Sequence, residues 1–190
     1  MIGKLTALVL AATMLAGSPA WADEYSDTVD VYKNAGESGA FFKNCYGYAV
    51  FPTIGKGGLG VGAAHGDGRV YEKGKYVADT SMTQVSIGFQ AGGQAFSQII
   101  FFENKAAFDQ FASGNFEFGA GVSAVAIKSG ASGSVGTTGA TASASSGSGK
   151  TGAGTASNYR KGMAVFTIAK GGLMYEASLG GQKFSYKPVK

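Results

Sequence analysis

The sequence is poor in the residue types from which most catalytic and metal sites are built. Its 190 residues include one cysteine, Cys45, and one histidine, His65. A lone cysteine cannot form an internal disulfide, and this pair supplies too few ligands for a protein metal site. The carboxylates show no paired spacing that suggests acid–base chemistry. These shortages argue against an enzyme and against a resident metal or other cofactor.

Cys45 and His65 nevertheless allow one catalytic alternative. Cys45 lies among aromatic residues, which predicts a buried, small apolar side chain, and His65 adjoins a glycine-rich turn that faces solvent. A hydrolase that used both residues as nucleophile and base would need their side chains within hydrogen-bond reach.

Charge is also scarce, and no dense basic patch is present. Charged residues make up 15% of the chain, with a formal net charge of +4. This balance argues against a nucleic-acid partner and suits transient attraction to an anionic membrane surface.

The first 22 residues read as a signal peptide. Lys4 precedes an apolar run over residues 5–17, and residues 20–22 have the small-x-small pattern of a cleavage site, which predicts cleavage before Asp23. The apolar run is too short to span a bilayer, so an uncleaved anchor is the weaker alternative. We therefore expect an exported protein of the periplasm or cell envelope, or a secreted one, with a single domain over residues 23–190.

Glycine is abundant, with 32 residues interleaved with aromatic and β-branched residues. Because glycine weakens helices, this pattern predicts an α+β domain dominated by a twisted antiparallel sheet that can curl toward a barrel. Two helices are expected. One lies near the N-terminus, capped by Ser26 or Asp27 and ended by Gly36, and the other spans residues 103–113, capped by Asn104.

Short apolar runs between turn residues locate the strands. Residues 48–51 read as a buried strand stopped by Pro52, residues 60–71 as a hairpin turned at 66–68, and residues 73–75 as a further turn. Residues 99–102 should be fully buried. Residues 129–157 are glycine, alanine, serine or threonine except for Val135 and Lys150, which predicts a mobile segment, with small-residue strands as the alternative.

An internal repeat is the most informative pattern. Residues 49–59 recur as 164–173 without an equivalent of Pro52, and residues 92–97 recur as 180–185. The repeat predicts a pseudo-symmetric strand-turn-strand unit that presents a Lys-Gly-Gly turn, although two ordinary hairpins would give the same pattern. Two phosphate-binding motifs are rejected, because hairpin sequence follows the GxGxxG match at 55–60 and no strand or helix flanks residues 146–151.

The basic residues near glycine turns are the candidate binding groups. Glycine amides beside each lysine would form anion-accepting concavities suited to phosphate headgroups. The predicted lipid-binding residues are Lys56, Gly57, Gly58, Arg69, Lys73, Lys75, Arg160, Lys161, Lys170, Gly171 and Gly172.

Five blocks of sequence, in this order, resemble the SYLF-domain family: residues 46–52, 56–60, 88–94, 170–173 and 180–181. The resemblance covers roughly residues 25–186 and implies a lipid-binding module. Eukaryotic members bind phosphoinositides, partly through an amphipathic N-terminal segment, and some engage actin; here residues 23–34 carry more acid than base. For an exported protein the implied ligand is an anionic phospholipid or related amphiphile at a membrane surface. The alternative is a structural or protein-interaction component of the envelope whose protein partner is unknown.

Overall fold

The computed structural model describes residues 21–87, 92–119, 124–129, 135–136, 159–170 and 179–190. The helices are α1 (Trp21–Asn34), α2 (Gly36–Gly39), α3 (Phe41–Asn44) and α4 (Lys105–Ala112). The strands are β1 (Gly47–Leu59), β2 (Val61–Glu72), β3 (Lys75–Ile87), β4 (Gly92–Phe102), β5 (Phe116–Glu117), β6 (Val125–Ser129), β7 (Val135–Gly136), β8 (Met163–Lys170), β9 (Lys183–Phe184) and β10 (Lys187–Pro188).

The strands form one strongly curled half-barrel sheet in the order β5-β9-β3-β2-β1-β4-β8-β6-β7, with β10 beside β3. The described pairings are antiparallel except for β6 with β8. The predicted α+β class with a mostly antiparallel, curled sheet is confirmed. Most of the predicted mobile segment at 129–157 lies outside the described residues.

The predicted hairpin turn at residues 66–68 is wrong, because these residues lie inside β2. A Cβ at Gly68 would stand 2.6 Å from ring carbons of Phe51, and one at Gly66 would stand 2.7 Å from the Ile54 side chain. These glycines therefore make room for the neighbouring strand rather than reverse the chain. The chain reverses instead at Gly60, with φ 75°, between β1 and β2.

Pro52 does not end its strand, which continues to Leu59. The register of β1 shifts between Val50 and Gly55 against β2, and between Phe51 and Ile54 against β4. Such an irregularity accommodates a proline, which has no N–H for the ladder, and it bends the strand.

Each face of the sheet packs against a helix. On the face covered by α4, here called the α4 face, a core forms around Phe51, Ile54 and the helix residues Phe108 and Phe111. On the opposite face, here called the α1 face, α1 contributes Val29 and Tyr32 and α3 contributes Phe41 to a second core. Ile99, Ile100, Phe101 and Phe102 are fully buried, as the sequence predicts.

Of the two predicted N-terminal helix caps, the one on α4 is present and the one on α1 is not. Asn104 caps α4 as predicted, because its Oδ1 accepts a hydrogen bond of 3.0 Å from the Ala107 amide. At the N-terminus the predicted caps are wrong, since Ser26 and Asp27 lie within α1. No helix within the described part of the chain is long and apolar enough to cross a bilayer.

Candidate functional site

The long central strands give the sheet two distinct ends. At the Gly60 end lie the β1–β2 reversal, the end of β3, the start of β4 and the end of β8. At the Lys73 end lie the β2–β3 turn, the start of β1 and the start of β8. Because β1 has 13 residues, the two ends are roughly 40 Å apart at the usual rise per residue.

The predicted lipid-binding residues do not form one site, because they divide between these two ends. Gly171 and Gly172 lie outside the described residues. At the Gly60 end are Lys56, Gly57, Gly58 and Lys170, and at the Lys73 end are Lys73, Lys75, Arg160 and Lys161.

Arg69 belongs to neither group and holds α1 against the sheet. Its guanidinium carbon lies 4.2 Å from the ring centre of Tyr25 on α1 and 5.0 Å from that of Tyr76 on β3. Asp79 accepts a hydrogen bond from the Tyr76 hydroxyl, and burial raises the pKa of that hydroxyl to about 12. The Arg69 side chain is therefore already engaged by aromatic faces.

The Lys73 end carries charges of both signs. Lys73 and Gly74 form the predicted turn, with φ values of 49° and 80°. The Lys73 ammonium lies 5.3 Å from the Tyr46 ring centre, and the Tyr46 hydroxyl donates a hydrogen bond to the Glu72 carboxylate. A lysine with an adjoining carboxylate offers a weak field to an anionic surface.

The Gly60 end is different in charge. The strand segments 54–66, 81–87 and 92–98 contain Lys56 as their only lysine, arginine, aspartate or glutamate. Lys170, the last residue of β8, lies opposite Ala95 of β4, and Ala95 lies opposite Gly55 of β1. Along the strand direction, Lys56 and Lys170 are therefore offset by one residue. Because directly opposed residues share a face and successive residues alternate, the two lysines lie on opposite faces of the sheet.

Lys170 also connects the Gly60 end to α1. Its ammonium donates a hydrogen bond of 2.7 Å to the Thr53 hydroxyl and lies 3.5 Å from the Glu24 carboxylate. The Thr53 hydroxyl in turn donates to Glu24 over 2.8 Å. This exposed chain of contacts offsets part of the Lys170 charge, whereas no ion pair is recorded for Lys56 in the described structure.

The predicted Lys-Gly-Gly turn is wrong for its first copy. Gly57 and Gly58 lie in β1, opposite Ala63 and Gly62 of β2 and opposite Gly93 and Gly92 of β4. With strands on both sides, their amides point toward neighbouring carbonyls rather than into a common concavity. The two copies of the repeat are β1 and β8, which flank β4 on either side.

The sequence patterns missed three exposed aliphatic residues at the Gly60 end. The exposed fractions are 83% for Leu59, 61% for Val61 and 70% for Val85. Alternation along β2 was the available signal, since Gly62 and Ala64 are buried while Val61 and Ala63 face outward. These three residues are here called the aliphatic tip.

The alternative that paired Cys45 with His65 fails on geometry. Cys45 precedes Gly47, which lies opposite Glu72, whereas His65 is seven residues away along β2. That separation is about 20 Å at the usual strand rise, far beyond hydrogen-bond reach. Burial raises the pKa of the Cys45 thiol, which disfavours the reactive thiolate. The His65 imidazole lies 3.9 Å from the Asp67 carboxylate on an exposed surface.

The domain is thus a glycine-rich curled sheet with basic residues at both of its ends. Residues 83–188 match the family model Ysc84, described as "Las17-binding protein actin regulator". The chain belongs to this family, the Ysc84 or SYLF family, as the sequence resemblance predicts. The family is one of binding domains rather than a known enzyme family.

A curated relative comes from Aeromonas veronii and is called Beta cell expansion factor A. It is 31% identical over 145 residues, which is 75% of this chain and 46% of the relative. The chain thus spans about half the length of that protein.

Proposed function

We propose that this protein binds, without catalysis, to anionic phospholipid or a related amphiphile at the surface of a membrane in the cell envelope. The observation that carries the proposal is the charge pattern at the Gly60 end. Lys56 and Lys170 stand there at similar height, beside strand segments without a carboxylate. With the Gly60 end directed at a membrane, the Lys56 and Lys170 ammonium groups can both reach its surface, one from each face of the sheet.

Membership of a family of binding domains linked to lipid supports this function. The family model's description also refers to an actin regulator. The predicted signal peptide favours an exported protein, for which a membrane surface is a more accessible partner than a cytoskeletal filament.

The expected electrostatic contribution is modest. Each lysine close to an anionic surface contributes about 1 kcal/mol, so the two lysines together account for roughly 30-fold in affinity. The Glu24 carboxylate beside Lys170 reduces its share. Binding should therefore be reversible and should weaken as salt rises.

Charge reversal at the Gly60 end tests the proposal against a matched control. The variant Lys56→Glu/Lys170→Glu should lose about 30-fold or more of its affinity for vesicles containing phosphatidylglycerol, measured by flotation. The control Lys75→Glu/Arg160→Glu changes the net charge equally but acts at the Lys73 end, and it should bind much as the parent does. Vesicles of phosphatidylcholine alone should bind little of either protein.

Two results would contradict the proposal, the first its site and the second its function. Equal losses in both variants would assign binding to net charge rather than to the Gly60 end. Absence of flotation by the parent protein, with retention of a defined envelope protein in pull-down, would favour the structural or protein-interaction role instead.

A further inference from the structure

The aliphatic tip lies at the Gly60 end of the sheet, where β1 is rich in glycine. Leu59 lies opposite Val61, and Ala63, two residues further along β2, lies opposite Val85. Residues that oppose each other, or that stand two apart on a strand, share one face, so the three side chains form one patch on the α1 face. Between this patch and α1, β1 presents only glycine on this face, and a Cβ at Gly55 or Gly57 would meet nothing within 4 Å, while β2 presents Ala63 and the exposed His65.

This patch is unusual because nothing in the described structure covers it. Leu59 and Val85 expose more than two thirds of their surface, although the same strands bury Ile54 and Met82 completely. Among the described residues, the other large exposed apolar side chains are Val31, Tyr76 and Val189, which lie elsewhere and are 37–41% exposed. A contiguous, strongly exposed apolar patch in a folded protein marks an interaction surface.

The shape and charge of the tip favour one kind of partner. Val61 is paired to Leu59 on one side and to Ile87 on the other, so an added peptide strand finds no free edge there. The three side chains lie at the Gly60 end of the sheet. Lys56 stands three residues from Leu59 and Lys170 at nearly the same height. Apolar side chains beyond two lysines match the boundary between anionic headgroups and acyl chains.

We propose that Leu59, Val61 and Val85 insert into the acyl boundary of a bilayer while Lys56 and Lys170 contact the headgroups. This inference rests on the proposed membrane function and identifies the residues that make its apolar contacts with the bilayer. The insertion adds a component of binding that salt does not screen, because apolar burial is independent of ionic strength to first order.

Replacement of the tip by small polar residues tests the insertion. The variant Leu59→Ser/Val61→Ser should bind phosphatidylglycerol-containing vesicles at least about tenfold more weakly, and its residual binding should disappear in high salt. The control Val31→Ser/Val189→Ser removes the same kind of side chain from exposed sites elsewhere and should bind as the parent does. Since all four positions are exposed, thermal unfolding should stay close to that of the parent in both variants.

A fluorescent reporter measures the depth of the tip directly. Tryptophan emission of a Leu59→Trp variant should shift to the blue on addition of vesicles and should be quenched by brominated acyl chains. A Val189→Trp variant should show neither change. Both variants are made in the mature chain from Asp23, which has no other tryptophan, because Trp21 lies in the predicted signal peptide.

The outcomes separate the two proposals. Parent-like binding by Leu59→Ser/Val61→Ser, or an unchanged Leu59→Trp spectrum in the presence of bound vesicles, overturns the insertion and leaves the membrane function intact. Failure of the parent protein to bind any vesicle overturns both. A third outcome would make the tip a contact between two copies and overturn the insertion. In that case the parent sediments as a dimer, the Leu59→Ser/Val61→Ser variant sediments as a monomer, and the Leu59→Trp spectrum is already blue-shifted before vesicles are added.

Discussion

Glycines within β2 are required because they have no Cβ atom. On its buried side, β2 presents Gly62, Ala64, Gly66 and Gly68 in alternation, before Val70. The tightly curled sheet brings Ile54 and Phe51 of β1 over Gly66 and Gly68, and only the smallest residue leaves room for them. Glycines on the exposed side of β1 have no such neighbour, so the two sets serve different purposes although their sequence contexts look alike.

Alanine substitutions should distinguish these two sets. At Gly68 a new Cβ would stand 2.6 Å from the Phe51 ring and 2.8 Å from the Val50 carbonyl oxygen, so Gly68→Ala should destabilise the fold by about 1–3 kcal/mol. At Gly57 the space is open, and Gly57→Ala should be neutral or stabilising by roughly 0.5 kcal/mol, because alanine lowers the entropy of the unfolded chain. Urea unfolding of both variants measures the difference. A Gly68→Ala protein as stable as the parent would refute the close packing.

At the scale of secondary structure, α4 shows how one side chain can define the start of a helix. Asn104 has extended backbone angles, and its side chain satisfies the amide of Ala107, one of the first-turn amides that lack a helical acceptor. The buried residues Ala107, Phe108 and Phe111 then recur at helical spacing against the sheet. The cap and the apolar stripe therefore specify the same element independently.

Removal of the cap should weaken α4 by a measurable amount. Asn104→Ala leaves the Ala107 amide without its acceptor and should lower the free energy of unfolding by about 1 kcal/mol. Asn104→Asp keeps an acceptor oxygen at the same position and should stay within a few tenths of the parent. If both variants lose equal stability in urea unfolding, the amide nitrogen of Asn104 rather than its cap oxygen is what matters.

The contrast between α4 and β2 explains how far the sequence alone could predict this fold. Local signals located α4 and the Lys73–Gly74 turn, because a cap and a tight turn depend on adjacent residues. Local signals gave a wrong prediction at residues 66–68, because glycine is needed there to make room for Phe51 on another strand. They also gave a wrong prediction at Pro52, because a register shift in β1 accommodates the proline. Both lysines of the Gly60 end can be predicted from the sequence, but their placement on opposite faces of the sheet cannot. That placement depends on pairing across β4, which is a long-range property.

At the scale of the whole molecule, the two ends of the sheet differ in what holds them together. Toward the Lys73 end, aromatic rings contact one another in series, including Tyr48 with Tyr71, Phe42 with Phe101, and Phe41 with Tyr159. Toward the Gly60 end, β1 supplies only glycine, Lys56 and the exposed Leu59 after Ile54. Along β1, buried packing is therefore concentrated in the part before Gly55, and the last five residues add little to the core.

This division makes the fold sensitive to alkali through its aromatic end. Burial raises the pKa of Tyr48 to about 12 and that of Tyr159 to about 12, and the buried Tyr159 hydroxyl has no hydrogen-bond partner among the residues that the structure describes. Burial also raises the pKa of Tyr32, whose hydroxyl lies 3.0 Å from that of Ser97. An unfolded chain releases these protons near pH 10, so above that pH the unfolded state binds fewer protons than the folded state. Stability must then fall as pH rises.

Urea midpoints should accordingly change little between pH 7 and pH 9 on account of these groups and should decline from about pH 10 to pH 12. Absorbance at the tyrosinate band should show a class of tyrosines that ionises only as the protein unfolds. The variant Tyr48→Phe keeps the ring that stacks on Tyr71 at 4.9 Å but has no proton to lose, so its decline should be shallower than that of the parent. An identical decline in both proteins would show that ionisation of Tyr48 does not contribute to the alkaline sensitivity.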